Sequence, residues 1–209
     1  MFMNPIDDAL DQVRRMQALV LERRRFQGYS GKARMLSGTL ALLGTLLLAS
    51  SLVPRDPRAH LLGWAVVFTL SVAINYAALA WWFLFDPAER RTPSMLKPAL
   101  DAFPALAIGA ALTAAAVRHG SFDLLFGIWM SLYGLAQIAY RESLPRGIYH
   151  VGLAYLLCGV GCLAWRGVSF VNPWPMGLVF LAGEWAAGII LYWQDHATAA
   201  REAAGNGDA

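Results

Sequence analysis

Long apolar runs alternate with short polar segments along most of the chain. The runs lie near residues 35–53, 61–85, 98–117, 122–140, 147–165 and 174–193. Their lengths are close to the roughly 20 residues with which an α-helix crosses a bilayer. The segments between them carry Pro, Gly and charged residues, which end helices, as at 53–60, 86–98 and 166–175. This pattern predicts an all-α polytopic membrane protein, a six-transmembrane-helix bundle.

The first 33 residues differ from the rest, because charged residues interrupt their apolar positions. Asn4 can cap a helix and Pro5 suits its first position, so we expect an amphipathic, basic cytoplasmic helix with its linker over 1–33. The transmembrane domain then covers 34–194, and 195–209 is expected to be a short disordered cytoplasmic tail. Five arginines make the first segment a candidate for contact with the membrane surface or with a partner protein: Arg14, Arg15, Arg23, Arg24 and Arg25. Contact with anionic lipid is favoured over a protein partner.

Charge and its distribution support a membrane protein and predict its orientation. The chain is 57% apolar and 15% charged, whereas a soluble domain carries about 25% charged residues. With the N-terminus in the cytoplasm, thirteen of the 17 Lys and Arg residues fall on the inner side and four on the outer side: Arg55, Arg58, Arg118 and Arg166. Because cytoplasmic loops are enriched in Lys and Arg, we expect a multi-pass protein of the bacterial inner (cytoplasmic) membrane with both termini inside.

Glu184 stands near the middle of the sixth predicted span. It is ten residues from Trp174 and nine from Trp193, and a charged carboxylate facing lipid at that depth costs about 3 kcal/mol or more. The helix face that carries Glu184 also carries the small residues Gly177 and Gly188, which allow close approach of another helix. We therefore expect Glu184 to face the interior of the bundle.

Other polar residues could join Glu184 in an interior site that binds a solute or a proton. Asn75 and Tyr133 lie near the middle of the second and fourth spans, whereas Gln137 and His150 lie a little inside the cytoplasmic boundary. No Lys or Arg is predicted at mid-span. The sequence therefore favours a neutral Glu184, hydrogen-bonded to Asn75 or Tyr133, over a buried ion pair. Gln137 and His150 would form a cytoplasmic exit. For His150 alone, an interfacial histidine hydrogen-bonded to Gln137 or to water is favoured over a part in a proton route, because span ends are normally hydrated.

Two functions remain open from the sequence. The leading hypothesis is a small integral membrane protein that binds or passes a proton or small solute at Glu184. The alternative is a non-transporting scaffold or regulatory subunit that binds a membrane partner, or itself as a homo-oligomer, through its N-terminal helix and Gly-lined helix faces. No catalytic, cofactor-binding or metal-binding motif is present in the sequence, so no catalytic residue, cofactor or metal is predicted and an enzyme is less favoured. The basic segment lacks interleaved aromatic residues, which argues against nucleic acid as a partner.

Overall fold

The structure is a computed structural model that describes residues 30–85, 103–139, 145–165 and 167–205. Within these residues it is entirely helical, with six α-helices and a single-turn 3-10 helix at Phe122–Leu124. The helices are α1 (Gly31–Ala49), α2 (Pro57–Phe85), α3 (Phe103–Arg118), α4 (Leu125–Ala139), α5 (Arg146–Ala164) and α6 (Trp174–Gly205). Helices α1, α2, α5 and α6 are long and apolar enough to cross a membrane, and so is α4 when the 3-10 turn before it is included, as Phe122–Ala139. α3 is a shorter apolar helix of 16 residues. These features indicate a multi-pass integral membrane protein.

Local signals in the sequence explain where several helices begin and end. The Ser30 side chain accepts a hydrogen bond from the Ala33 amide and caps α1. The Asp56 carboxylate accepts bonds from the amides of Arg58 and Ala59, at 3.0 Å each, and so caps α2. At the end of α3 the chain turns through Gly120, whose φ of 69° lies in the left-handed region that favours glycine.

The helices pack in the order α2, α1, α6, α5, α4, α3, each against the next. Two of these contacts are much more extensive than the others: α1 with α6, and α4 with α5. We call one end of the bundle, where residues 50–56, 119–121 and 165–173 connect the helices, the Phe170 end. We call the opposite end, where α1 begins, the Ser30 end.

Small residues bring the helices of the α1–α6 pair together. A Cβ added to Gly31 would lie 2.5 Å from the Gly188 carbonyl oxygen, and one added to Gly177 would collide with the Thr45 side chain. The two helices are therefore antiparallel. Their backbones meet at Gly31 and Gly188, and the Thr45 side chain fits against Gly177, as small residues permit between membrane helices. This confirms the prediction that the face of α6 with Gly177 and Gly188 receives another helix.

The α4–α5 pair is built in the same way. A Cβ added to Gly134 would lie 2.5 Å from the Gly152 carbonyl oxygen, and one added to Gly127 would lie 2.9 Å from the Gly159 carbonyl oxygen. The glycines of the fourth predicted span thus pack against α5, and they do not face α6.

An aromatic cluster joins the helices at the Phe170 end. Phe170, in the segment before α6, is fully buried and packs on Phe126 of α4, with ring centroids 4.9 Å apart. Trp64 of α2 meets the same Phe126 ring edge-on at 5.9 Å. The backbone amide of Phe170 donates to the Asp123 carboxylate at 2.7 Å, which fastens the segment to the start of α4.

The structure corrects some of the predicted boundaries. The first helix spans Gly31–Ala49, four residues earlier than predicted at both ends, because Ser30 caps it and Ser50 ends it. The last helix continues to Gly205, so residues 195–205, predicted to belong to a disordered tail, are helical. Residues 1–29, with the predicted amphipathic helix, and residues 98–102 of the third predicted span lie outside the described residues.

Candidate functional site

Glu184 forms a buried ion pair with Arg34. The guanidinium meets the carboxylate in the two-pronged geometry, with Nε 2.8 Å from Oε2 and Nη2 2.8 Å from Oε1. Glu184 is 4% exposed and Arg34 is 5% exposed. The pair joins the first turn of α1 to the middle of the apolar span of α6. These two helices form one of the two most extensive contacts in the bundle. Bidentate geometry at low exposure makes this a strong, directional interaction.

Two tyrosine hydroxyls complete the coordination of the carboxylate. Tyr133 of α4 donates to Glu184 Oε1 at 2.7 Å, and Tyr155 of α5 donates to the same oxygen at 3.1 Å. Arg34 Nη2 also donates to the Tyr133 hydroxyl, at 3.1 Å. Oε1 therefore accepts three hydrogen bonds and Oε2 accepts one. In all four bonds Glu184 is the acceptor, which is the pattern expected of an ionised carboxylate.

Glycines and aromatic rings shape the surroundings of the ion pair. A Cβ at Gly38 would lie 2.9 Å from the Cβ of Glu184, and a Cβ at Gly183 would collide with the ring of Tyr155. Hence these two glycines allow α1 and the Tyr155 ring to approach α6 at this depth. The rings of Tyr133, Tyr155 and Phe180 pack on one another, with centroids 5.0 to 5.2 Å apart, and form an apolar wall beside the charges.

The ion pair overturns one prediction and confirms another. The sequence favoured a neutral Glu184 because no cation was predicted at mid-span, and this was wrong: Arg34, near the start of α1, reaches Glu184 with its long side chain. The expected shelter of Glu184 inside the bundle is confirmed by its burial. The predicted contact with Tyr133 is present as well.

Arg34 and Tyr155 were the partners that sequence reasoning missed. Arg34, Ser37, Ala41 and Thr45 follow one another at intervals of three and four residues and form the buried face of α1. That small and polar stripe was a signal that Arg34 faces the interior. Tyr155 lies at the middle of its span, far from the ends where interfacial aromatic residues gather.

Asn75 lies apart from the carboxylate. Its amide nitrogen donates to Ser37 Oγ at 2.8 Å and to the Ser71 backbone oxygen at 2.9 Å. The bond to Ser37 connects α2 to α1, whereas the bond to Ser71 lies within α2. Since Ser37 is one turn from Arg34 on the buried face of α1, Asn75 contacts the neighbourhood of the ion pair only through Ser37.

Gln137 and His150 differ in burial, and no hydrogen bond joins them among the described residues. Gln137 is 5% exposed, and neither polar atom of its side chain has a hydrogen-bond partner among the described residues. It lies one turn from Tyr133 on α4, toward the Ser30 end. His150 is exposed on α5, where its ring meets the ring of Tyr149 edge-on. The five predicted surface arginines, between Arg14 and Arg25, lie outside the described residues.

A cavity of about 290 Å³ opens at the Phe170 end, away from the ion pair. It is bounded by the last residues of α1, by Arg55 and by residues 171–174. None of these residues contributes to the Glu184 site.

Chemically, the site is a charge-neutral cluster closed by its own hydrogen bonds. Both oxygens of Glu184 already accept hydrogen bonds from Arg34, Tyr133 or Tyr155, and Oε2, which accepts only one, has the remaining capacity to accept another. Comparison of the chain with protein-family models, curated proteins and solved structures gives no significant match.

Proposed function

We propose that this integral membrane protein binds or passes a proton or small polar solute at the Glu184 site. The observation that supports this most directly is the convergence of Arg34, Glu184, Tyr133 and Tyr155 from four different helices inside the spanning region. Ionisable residues inside membrane spans are expensive and commonly mark solute or proton pathways. Stability alone is a poor reason for such a pair, because apolar residues of similar volume often hold a buried site together as well or better.

The packing offers a way for the site to open. Arg34 and Glu184 belong to the α1–α6 pair, whereas Tyr133 and Tyr155 belong to the α4–α5 pair. Each pair is held by glycine-mediated backbone contact, while contacts between the two pairs are fewer. A proton on Glu184 would remove the negative charge that faces Arg34 and would weaken the bonds from both tyrosines. The two pairs could then move as rigid bodies about the site, as helix bundles do in many transporters.

Gln137 supports an access route from the Ser30 end. A buried amide without protein partners is typically bonded to water, and Gln137 is one turn from Tyr133 on the same helix. In this proposal water at Gln137 carries a proton or solute toward the tyrosine, and exposed His150 exchanges protons near the opening. Asn75 holds Ser37 and thereby acts on the site indirectly.

The topology of the proposal follows the charge count of the sequence. The Ser30 end is cytoplasmic, α3 belongs to the third of six spans, and both termini are on the cytoplasmic side of a bacterial inner membrane. The part of the basic segment 1–33 that precedes α1 lies on the anionic lipid surface.

A non-transporting scaffold remains the second candidate, because every oxygen of Glu184 is occupied by donors, as a fixed clamp between helices would be. The glycine-lined helix faces support the scaffold less than the sequence indicated. The glycine-lined faces of α4 and α6 are covered by α5 and α1 of the same chain, so they are not open to a partner. The scaffold would then depend on the N-terminal segment.

The test is flux through the purified protein in sealed vesicles that contain a pH-sensitive dye. Wild type is expected to collapse an imposed proton gradient, alone or together with a solute from a panel of small polar compounds. Glu184→Gln preserves the shape of the side chain and removes its charge, and it should abolish the flux. Lys32→Gln, which removes an exposed cation two residues from Arg34, is the matched control and should retain it.

Absence of flux in wild type, or equal flux in a folded Glu184→Gln protein, refutes the transport proposal. Deletion of residues 1–27 followed by capture of membrane partners then tests the scaffold.

A further inference from the structure

Two buried ring nitrogens lie one helical turn apart on α2, near the Phe170 end. His60 is fully buried and Trp64 is 4% exposed. His60 is the last residue of the segment 53–60 that the sequence places between two apolar runs, but in the structure it lies buried in the first turn of α2. Residues four apart on a helix share a face, so both rings enter the same region of the interior.

The hydrogen bonds of His60 determine which of its nitrogens carries the proton. Nδ1 lies 3.2 Å from the backbone oxygen of Asp56, and that oxygen can only accept. The proton therefore belongs on Nδ1, and Nε2 presents a lone pair. Nε2 has no hydrogen-bond partner among the described residues, and neither has the indole N–H of Trp64.

The surroundings of Trp64 are apolar. Trp64 belongs to a buried cluster with Leu48, Phe126, Phe170 and Met176, whose side chains offer no conventional hydrogen-bonding group. Buried polar groups in native proteins are nearly always satisfied, by ordered water where protein groups do not reach them. Here one acceptor and one donor remain to be satisfied on the same face of α2.

We propose that an internal water molecule bridges these two rings. Its oxygen accepts the indole N–H of Trp64, and one of its hydrogens is donated to Nε2 of His60. The bridge connects the start of α2 to the aromatic cluster, in a region where His60 and Trp64 are at most 4% exposed. It lies outside the Glu184 site and does not depend on the proposed transport.

Nuclear magnetic resonance on the full-length protein in lipid nanodiscs tests the bridge directly. With ¹⁵N-labelled histidine and tryptophan, His60 should show a protonated Nδ1 and an unprotonated Nε2. The indole N–H of Trp64 should receive magnetisation from a long-lived water. His60→Gln and Trp64→Phe identify the two signals. A protonated Nε2, or a Trp64 indole without contact to water, overturns the proposal.

A thermodynamic cycle gives an independent test. Because one water serves both rings, either His60→Leu or Trp64→Phe removes the whole bridge. The melting temperature of the double variant should therefore fall by less than the sum of the two single falls. The control cycle pairs His60→Leu with Trp174→Phe, a change at an exposed ring, and should be additive. Additive falls for His60 and Trp64 contradict a shared water. Should these variants fail to fold, the wild-type spectra decide the question.

Discussion

Removal of Arg34 tests whether the buried charges balance each other. Arg34→Met keeps most of the apolar stem and removes the cation, which leaves the Glu184 carboxylate buried with only the tyrosine hydroxyls. Loss of one partner from a buried ion pair costs about 3–5 kcal/mol. We expect the free energy of unfolding to fall by about that amount, since both residues are at most 5% exposed.

Replacement of both charged residues should be less harmful than replacement of one. In Arg34→Met/Glu184→Leu no charge is left unpaired, and such replacements are commonly neutral or stabilising. Tyr133 loses its 2.7 Å bond to Glu184 but is only partly buried. The main remaining cost comes from Tyr155, which is 1% exposed, loses its 3.1 Å bond to Glu184 and keeps a 3.5 Å approach to the Phe180 backbone oxygen. A poorly satisfied buried hydroxyl costs about 1–3 kcal/mol. The double variant should therefore recover about 2 kcal/mol relative to Arg34→Met.

The assay is reversible unfolding in mixed micelles, followed by helix content and by tryptophan fluorescence. Lys32→Met is the matched control, because Lys32 is an exposed cation at the same end of α1 and should change stability by less than about 0.5 kcal/mol. If the double variant is as unstable as Arg34→Met, or less stable, the charges do not compensate each other and the description of the site as a balanced ion pair is wrong.

Two further predictions concern packing and a loop. Gly177→Ala places a Cβ against Thr45 and should lower the free energy of unfolding by about 1–3 kcal/mol. The control is Gly161→Ala, which should leave the free energy of unfolding nearly unchanged, because a Cβ there meets no atom within 4 Å. Equal effects of the two substitutions would contradict close contact of α1 with α6. Asp123→Ala removes the acceptor of the Phe170 amide and should accelerate hydrogen exchange at that amide. Asp123→Asn keeps an acceptor oxygen, so the Phe170 amide should exchange more slowly in it than in the Ala variant. Identical exchange of the amide in both variants would contradict the bond.

Much of the local structure was readable from the sequence. The long apolar runs, bounded by Pro, Gly and charged residues, predicted the helices α1 to α6 within a few residues at most ends. The mid-span position of Glu184 predicted its burial, because hydrocarbon does not tolerate a bare carboxylate. The small residues on its face predicted that another helix would approach there, as α1 does.

The partners of Glu184 were only partly predictable. Tyr133 was expected from its depth in the fourth span, and it does donate to Glu184. Asn75 lies at a comparable depth but bonds to Ser37, because α2 packs on α1 and not on α6. Arg34 was assigned to the cytoplasmic boundary, since depth was counted from the position of the backbone and took no account of the reach of its side chain.

The sequence by itself determined which segments are long and apolar enough to cross a membrane, which face of α6 turns inward and which residue there cannot face lipid. It did so because the length of an apolar run and the 3.6-residue period are properties of single helices. Only the tertiary structure decided which helix is the neighbour of which, and hence that Arg34 meets a carboxylate 150 residues away. Every membrane helix is apolar on its outside, so hydrophobicity does not choose between neighbours; the fit of glycine, threonine and tyrosine side chains across each interface makes that choice.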